Sequence, residues 1–465
     1  MNLLYDTFYP ALPIFAQNWM CTAAGFRRHS TRFNRHYQRV LREWERTVSL
    51  PLEDLYEIQR RRLVEIVRRA RVHVPYYRDL APPSRAGDPK KAIDETLSAI
   101  PPLEKSEYRD APEAFIARDV PRHRLFRGRT SGTTGTALRL FYTPEALAEE
   151  YATVWRMRRS CGLAGPLEAN LTFNGNMIVP FAQTEPPFWR TNFYSHQTLF
   201  SLFHMTPANL RAYADGIHDS EARYVEGYPS AIHLVARALL EEGRPLPRGK
   251  LAAVFTSSET LLAFQRATIE EAFQAPVRDR YGVSELGVSM TECAAGRLHA
   301  DMEFCIVEVE PIEETADSVT GPLLITGLSN PATPLLRYRI GDVGTRSKHP
   351  CPCGRAGDVF LEVDGRLEDY VLTPDGRWIG RLDHVFKDQV DVAEAQILQE
   401  TPHAIEVLLV PRPGWSKASE RRLMKEFRAR LGDVIDVRIE TVSAIPREPN
   451  GKFRAVKSRV GRLRR

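Results

Sequence analysis

The chain has 465 residues, 43% of them hydrophobic and 26% charged, with a formal net charge of +5. That length exceeds one ordinary hydrophobic core and implies at least two domains, with the composition of a globular protein. The small net charge excludes a strongly basic nucleic-acid-binding surface, and six cysteines in so long a chain exclude a disulfide scaffold.

The N-terminal stretch from Met1 to Phe26 is apolar and aromatic, with Phe8, Tyr9, Phe15, Trp19 and Phe26, and an Arg- and His-rich run from Arg27 to Arg46 follows. Asp6 comes early, no basic start precedes it, and Pro10 and Pro13 interrupt it, so it makes a poor signal peptide. No apolar run is long enough to span a bilayer. The expectation is a cytoplasmic protein whose arm packs on the main body, with membrane-surface contact as the alternative.

Leu55, Ile58, Leu63, Ile66, Val67 and Ala70 recur at helical spacing and predict a helix between Leu55 and Tyr77. Leu138 to Tyr142 reads as a short strand. Thr143-Pro144-Glu145 then starts a helix, with a capping hydroxyl, proline at the first position and an acid in the first turn. Thr206-Pro207 and Pro229-Ser230 open two more helices, the second ending near Gly243. Leu251 to Phe255 and Val277 to Arg280 read as strands, and Ile306 to Glu310 and Leu323 to Thr326 as further β structure. Strands alternating with helices predict an α/β body with parallel sheet. Near the C-terminus, a strand at His403 to Val410, a basic helix at Ser416 to Leu431 and a strand at Val434 to Glu440 form a smaller βαβ-like unit. The boundary is placed in Gly365-Arg-Leu-Glu-Asp369, giving a large domain over 1–367 and a small one over 368–465.

Five separated segments carry candidate chemistry. Thr130, Ser131, Gly132, Thr133, Thr134 and Gly135 form a run of hydroxyls and glycines. Alone it is a polar turn, but its glycines allow successive N–H groups to face one anion. The others are Tyr281-Gly-Val-Ser-Glu285 with Asp279 before it, Arg337-Tyr-Arg-Ile-Gly-Asp342, Gly365-Arg-Leu-Glu-Asp369 and Pro446-Arg-Glu-Pro-Asn-Gly-Lys452. In this order they resemble the adenylate-forming superfamily, which activates carboxylates with ATP. The short N-terminal region and Cys-Pro-Cys-Gly-Arg355 resemble its phenylacetate–CoA ligase branch, which includes proteins of capsular polysaccharide biosynthesis. The resemblance spans roughly residues 50 to 458.

It implies a large N-terminal domain of mixed and parallel sheets and a small, mobile α+β C-terminal domain. It implies ATP with magnesium and, as the most expected acyl acceptor, coenzyme A. Thr130 to Gly135 would hold the β- and γ-phosphates. The ring of Tyr281 would stack on adenine beside Asp279 and Gly282, and Ser258 and Glu259 would meet the adenine edge. Ser284 would donate to the α-phosphate and Glu285 would hold magnesium. Asp342 would accept both ribose hydroxyls, and Arg366 would contact ribose or phosphate. Lys452 would bridge the carboxylate and the α-phosphate in the transition state. Glu368 stands at the hinge, where Asp is commoner in the family. Thr136-Ala137-Leu138 replaces the Pro-Lys that many members carry after the glycine loop, a departure the phenylacetate branch shares. Phe173, Asn174, His196, Tyr228 and Pro229 are candidate walls of the acyl pocket, although core packing explains its aromatics nearly as well.

Cys293, His299, Cys351 and Cys353 offer three thiolates and an imidazole, a donor set that suits structural zinc. Some branch relatives resemble the chain in these positions; His349 is a reserve ligand and Asp301 a weaker one. The expected partners are a small carboxylic acid and coenzyme A or a carrier protein, with no nucleic acid and a homodimer left open. The alternatives are adenylation with transfer to a carrier protein, amine or sugar, and a non-catalytic nucleotide-binding protein of the same fold.

Overall fold

The computed structural model describes residues 8–129, 138–176, 178–180, 182–206, 208–366, 371–374, 378–379, 382–386, 391–432, 434–447 and 453–460. The chain opens with a helical layer: α1 (Ile14–Arg32), α2 (Arg35–Thr47), α3 (Leu52–His73), α4 (Pro89–Ser98) and α5 (Lys105–Asp110). Pro13 stands at the N-cap of α1, so the prolines of the aromatic arm precede its helix instead of interrupting it. The arm packs on the body, as a close approach at Gly25 shows: a Cβ there would fall 2.1 Å from Asn192 Nδ2.

The strands β1 (Phe126–Arg129) and β2 (Arg139–Tyr142) pair antiparallel, with Arg129 opposite Arg139. Next comes α6 (Pro144–Ser160), capped by Thr143, whose hydroxyl accepts from Ala146 N–H. Then follow β3 (Asn170–Phe173), β4 (Trp189–Asn192), β5 (Gln197–Phe200), α7 (Leu210–His218), β6 (Tyr224–Gly227), α8 (Pro229–Glu241), β7 (Ala253–Ser257), α9 (Ala263–Phe273) and β8 (Val277–Gly282). The helix expected to open at Thr206 begins four residues later, because the carbonyl of Thr206 first accepts from the N–H groups of Asn209 and Leu210 in a turn.

Antiparallel structure continues with β9 (Ser289–Glu292), β10 (Leu298–Ala300), β11 (Cys305–Val309), β12 (Glu313–Glu314), β13 (Ser318–Gly327), β14 (Tyr338–Ser347) and β15 (Val359–Arg366). One sheet runs β4-β5-β3-β6-β7-β8-β9-β10-β15-β14-β13-β11, with β12 on β13. Its pairs from β5 to β8 are parallel, and every pair from β8–β9 onward is antiparallel. Helices cover both faces of the parallel half. Leu171, Val225, Val254 and Val277 pack with Ile232, Leu239, Ile269 and Phe273 on one side. Trp44, Val67, Trp155 and Phe255 belong to a larger core on the other.

The C-terminal unit has β16 (Val371–Leu372), β17 (Trp378–Ile379), β18 (Val392–Thr401), β19 (Ala404–Pro411), α10 (Lys417–Leu431), β20 (Asp436–Thr441) and β21 (Val456–Ser458). Its sheet runs β20-β19-β18-β21, with β19 and β20 parallel across α10. Leu423, Phe427 and Leu431 of α10 bury against Ile397, Val407 and Leu409, a core separate from the other two. The fold is therefore mixed α/β with a distinct small C-terminal α+β unit.

Candidate active site

Parallel strands in such sheets present ligand-binding loops at their carboxyl ends, and β7 and β8 carry the motif residues there. Tyr281, in β8, donates its hydroxyl to Asp342 Oδ2 at 2.5 Å. Asp342 lies in β14 opposite Arg366 of β15. One side-chain bond and the β14–β15 pairing thus bring three separated segments to one place.

Beyond β8 the chain turns through Val283 to Leu286, with Leu286 in the left-handed region at φ 54°. This turn leaves Ser284 exposed and Glu285 buried. Tyr142 donates to the carbonyl of Ser284 at 2.5 Å, so the hairpin flanking the glycine-rich run rests on the turn that holds Glu285. Thr130 to Gly135 themselves, with Glu368 and Lys452, lie outside the described residues. Lys105 Nζ is 3.6 Å from Glu285 Oε1. Sequence reasoning missed Lys105, since no local motif marks it. What places it is Leu103, which pairs with Tyr338 inside the Arg337–Asp342 segment.

After β7, Ser258 adopts φ 72°, a conformation that turns the chain sharply. The Glu259 carboxylate then accepts from two backbone groups, Ser230 N–H at 3.1 Å near the start of α8 and Phe453 N–H at 2.8 Å. Phe453 directly follows Lys452 in sequence. Burial raises the Glu259 carboxyl above its ordinary value, against the lowering effect of these two donors. Asp279 accepts from Thr256 Oγ1 at 2.6 Å while its own N–H donates to Glu292. Burial, then the neighbouring Glu292, push its carboxyl up to about 7.

The candidate pocket residues divide. Pro229 begins α8 and Tyr228 caps it, donating its N–H to Phe173 O at the carboxyl end of β3. Asn174 follows in the same place and accepts from Asn176 N–H. The Phe173 ring, however, is fully buried and stacks on Phe200 at 4.7 Å, within the core beneath. His196 stands at the other end of that strand, where its carbonyl accepts from Asn170 N–H in the β4–β5 turn. The α6-facing side of the sheet also carries paired polar groups beside its core. Arg158 contacts Glu226, Arg280 meets Glu150 at 3.1 Å, and Gln197 donates to Thr172, which donates to Glu226.

A second cluster lies where the β9–β10 turn meets the β14–β15 connection. The ligand atoms of Cys293, His299, Cys351 and Cys353 all fall within 4.8 Å of one another. Cys293 Sγ is 3.6 Å from Cys351 Sγ, and Cys353 Sγ is 3.4 Å from His299 Nε2. Two matching turns make the cradle. The carbonyl of Cys293 accepts from Gly296 N–H and that of Cys351 from Gly354 N–H, with both glycines at positive φ. Burial, then Arg355, hold His299 down to about 4, leaving a neutral imidazole with a free lone pair. Tetrahedral zinc with bonds of about 2.0–2.3 Å separates its ligands by just such distances, so the donor set fits. His349 lies elsewhere, paired with Asp317, and Asp301 is taken up by Arg156, Arg355, Ser289 and Thr291.

A family model described as the CapK C-terminal domain matches residues 371–459. The chain is 25% identical over 456 residues to protein CapK of Staphylococcus aureus, covering 97% of this chain and 98% of that one. It is 26% identical over 428 residues to the phenylacetate–coenzyme A ligase of Thermus thermophilus, covering 89% and 90%. Among solved structures, 2-hydroxyisobutyryl-CoA ligase in its postadenylation state aligns with a TM-score of 0.68 at 18% identity, over 90% of this chain and 92% of that one. With the ordered motifs and the fold, the chain is thus similar over nearly its whole length to protein CapK and to a phenylacetate–coenzyme A ligase, and it shares the fold of an acyl-CoA ligase of the adenylate-forming kind.

Proposed function

We propose that the protein activates a carboxylic acid with ATP and passes the acyl group to a thiol, coenzyme A being the leading acceptor. The observation that carries this reading is the convergence of Tyr281, Asp342 and the Arg366 backbone, with Glu259 bound to the residue after Lys452. A substrate carboxylate oxygen attacks the α-phosphorus, and the bond to the bridging oxygen breaks as pyrophosphate leaves. The thiol sulfur then attacks the acyl carbon, its proton is lost, and AMP departs.

Each residue acts by position. Tyr281 offers its ring to adenine, and Asp342 exchanges the Tyr281 hydroxyl for ribose hydroxyls. Lys452 brings a positive charge to the two anions that must approach. Glu285 supplies the oxygen that a hard cation needs, and Lys105 balances its charge beforehand. Magnesium, when bound, would neutralise phosphate charge. Zinc held by Cys293, His299, Cys351 and Cys353 would be structural, because four protein ligands close the coordination sphere. The large unit is taken as 1–367 and the small one as 368–465, with Glu368 at the hinge.

A carrier-protein thiol, an amine or a sugar is the second choice of acceptor. A screen of carboxylic acids for pyrophosphate release, with and without coenzyme A, tests the reading. One acid should release pyrophosphate and yield a thioester only when coenzyme A is present. Lys452→Ala should bind ATP and form no adenylate; unchanged pyrophosphate exchange in that variant refutes the role of Lys452.

A further inference from the structure

Thirteen large apolar side chains are exposed among the described residues, and all the Phe and Trp in that set come from two segments. Phe8, Phe15, Trp19 and Phe26 belong to the N-terminal arm and Phe193 to the β4–β5 turn, Phe15 being 68% and Trp19 63% exposed. Positions 15, 19 and 26 fall on one side of α1, at about 100° per residue. The opposite side, with Gln17, Cys21 and Gly25, is buried against the body. The two segments are continuous, since Trp19 meets Phe193 at 5.5 Å between ring centroids and Phe26 meets Tyr194 at 5.0 Å.

The charge beside this ridge has one sign. From Thr7 to Arg42 there is no Asp or Glu, while Arg27, Arg28, Arg32, Arg35, Arg39 and Arg42 all fall in the run. All of these except Arg32, which lies over the Tyr151 ring, are exposed. We propose that this aromatic ridge and its arginines dock the protein on an anionic lipid surface, with α1 lying in the plane of the interface. Aromatic rings and arginines on one amphipathic helix are what partition there. Among the described residues, no helix is long and apolar enough to cross the membrane. A second copy of the chain fits less well, because two-fold pairing would set the same run of arginines against itself.

Co-sedimentation of the full-length protein with vesicles tests this. Binding should be strong to vesicles of mixed phosphatidylglycerol and phosphatidylcholine, weak to phosphatidylcholine alone, and lowered by salt. The double variant Phe15→Ser/Trp19→Ser should partition about ten-fold less or worse, as should Arg27→Glu/Arg28→Glu, while Leu167→Ser, exposed elsewhere, should behave as wild type. Unchanged thermal unfolding would show that the variants fold. If the aromatic pair fails to fold, the arginine pair and the salt titration of the wild type decide. No binding to anionic vesicles, binding that survives both double variants, or a dimer in sedimentation velocity that the aromatic substitutions split would each overturn the proposal. These readouts are independent of the reaction.

Discussion

Tyr281 and Asp342 hold each other in position, and under the proposed function both meet the nucleotide. Tyr281→Phe keeps the flat ring and removes this one bond, so the KM for ATP should change by less than about ten-fold. Asp342→Ala removes a charged acceptor worth about 1.5–3 kcal/mol per bond, and the KM should rise about ten-fold or more; steady-state kinetics in ATP separate the two. Asp279 gives a prediction of another kind. Its folded carboxyl titrates near 7 against an ordinary value of 3.8, so the folded state binds more protons in that window. Stability contributed by this group is therefore present below the lower value and is lost as pH rises toward 7. Asp279→Asn can still accept from Thr256 and does not ionise. Its stability relative to wild type should climb with pH by at most about 1.4 kcal/mol per unit up to neutrality, then level off. Denaturant unfolding between pH 5 and 8 checks this, and a flat difference would remove the assignment.

Elements differ in how much of them a sequence discloses. The start of α6 could be read from Thr143-Pro144-Glu145 because capping is local chemistry. The strands β9 and β10 could not. Their buried residues include Ser289, Thr291 and His299, and strands of three or four residues with polar groups at buried positions leave no apolar period. Phe173 and His196 illustrate the same limit: type and neighbourhood suggested a pocket, but strand direction put one ring in the core and the other residue at the far strand end. The cysteine cradle was legible as a donor set with a turn at Gly296, whereas the approach of its two halves, far apart in sequence, became visible only in three dimensions. If zinc fills it, protein purified without chelator should contain about one zinc per chain. Cys351→Ser should lose the metal and stability on the order of 3 kcal/mol, the linkage for a ligand at a hundred times its Kd. Metal analysis and thermal melts together decide; a metal-free protein as stable as the variant would eliminate the staple.

At the scale of the molecule, five motif segments spread along the chain were read as one ATP site, and the structure brings Tyr281, Asp342 and the Arg366 backbone together, but Lys105 and the second contact of Glu259 depend on long-range packing and left no local trace. Glu259 is where the large and small units meet in the structure: one carboxylate oxygen holds α8 through Ser230, and the other holds Phe453 beside Lys452. Removing the charged acceptor weakens each contact by about 1.5–3 kcal/mol; the loss at Ser230 is common to every arrangement of the small unit, whereas the loss at Phe453 falls only on the pose that docks it. Glu259→Ala should therefore slow adenylate formation about ten-fold or more. The transfer of a supplied acyl-adenylate to coenzyme A needs a different arrangement of the small unit under the proposed cycle, and should be unchanged or faster. Rapid-quench measurement of the two half-reactions separates these outcomes. A variant slowed equally in both would mean that Glu259 supports the nucleotide site itself, and a variant slowed in neither would mean that the Phe453 contact does not govern the approach of Lys452.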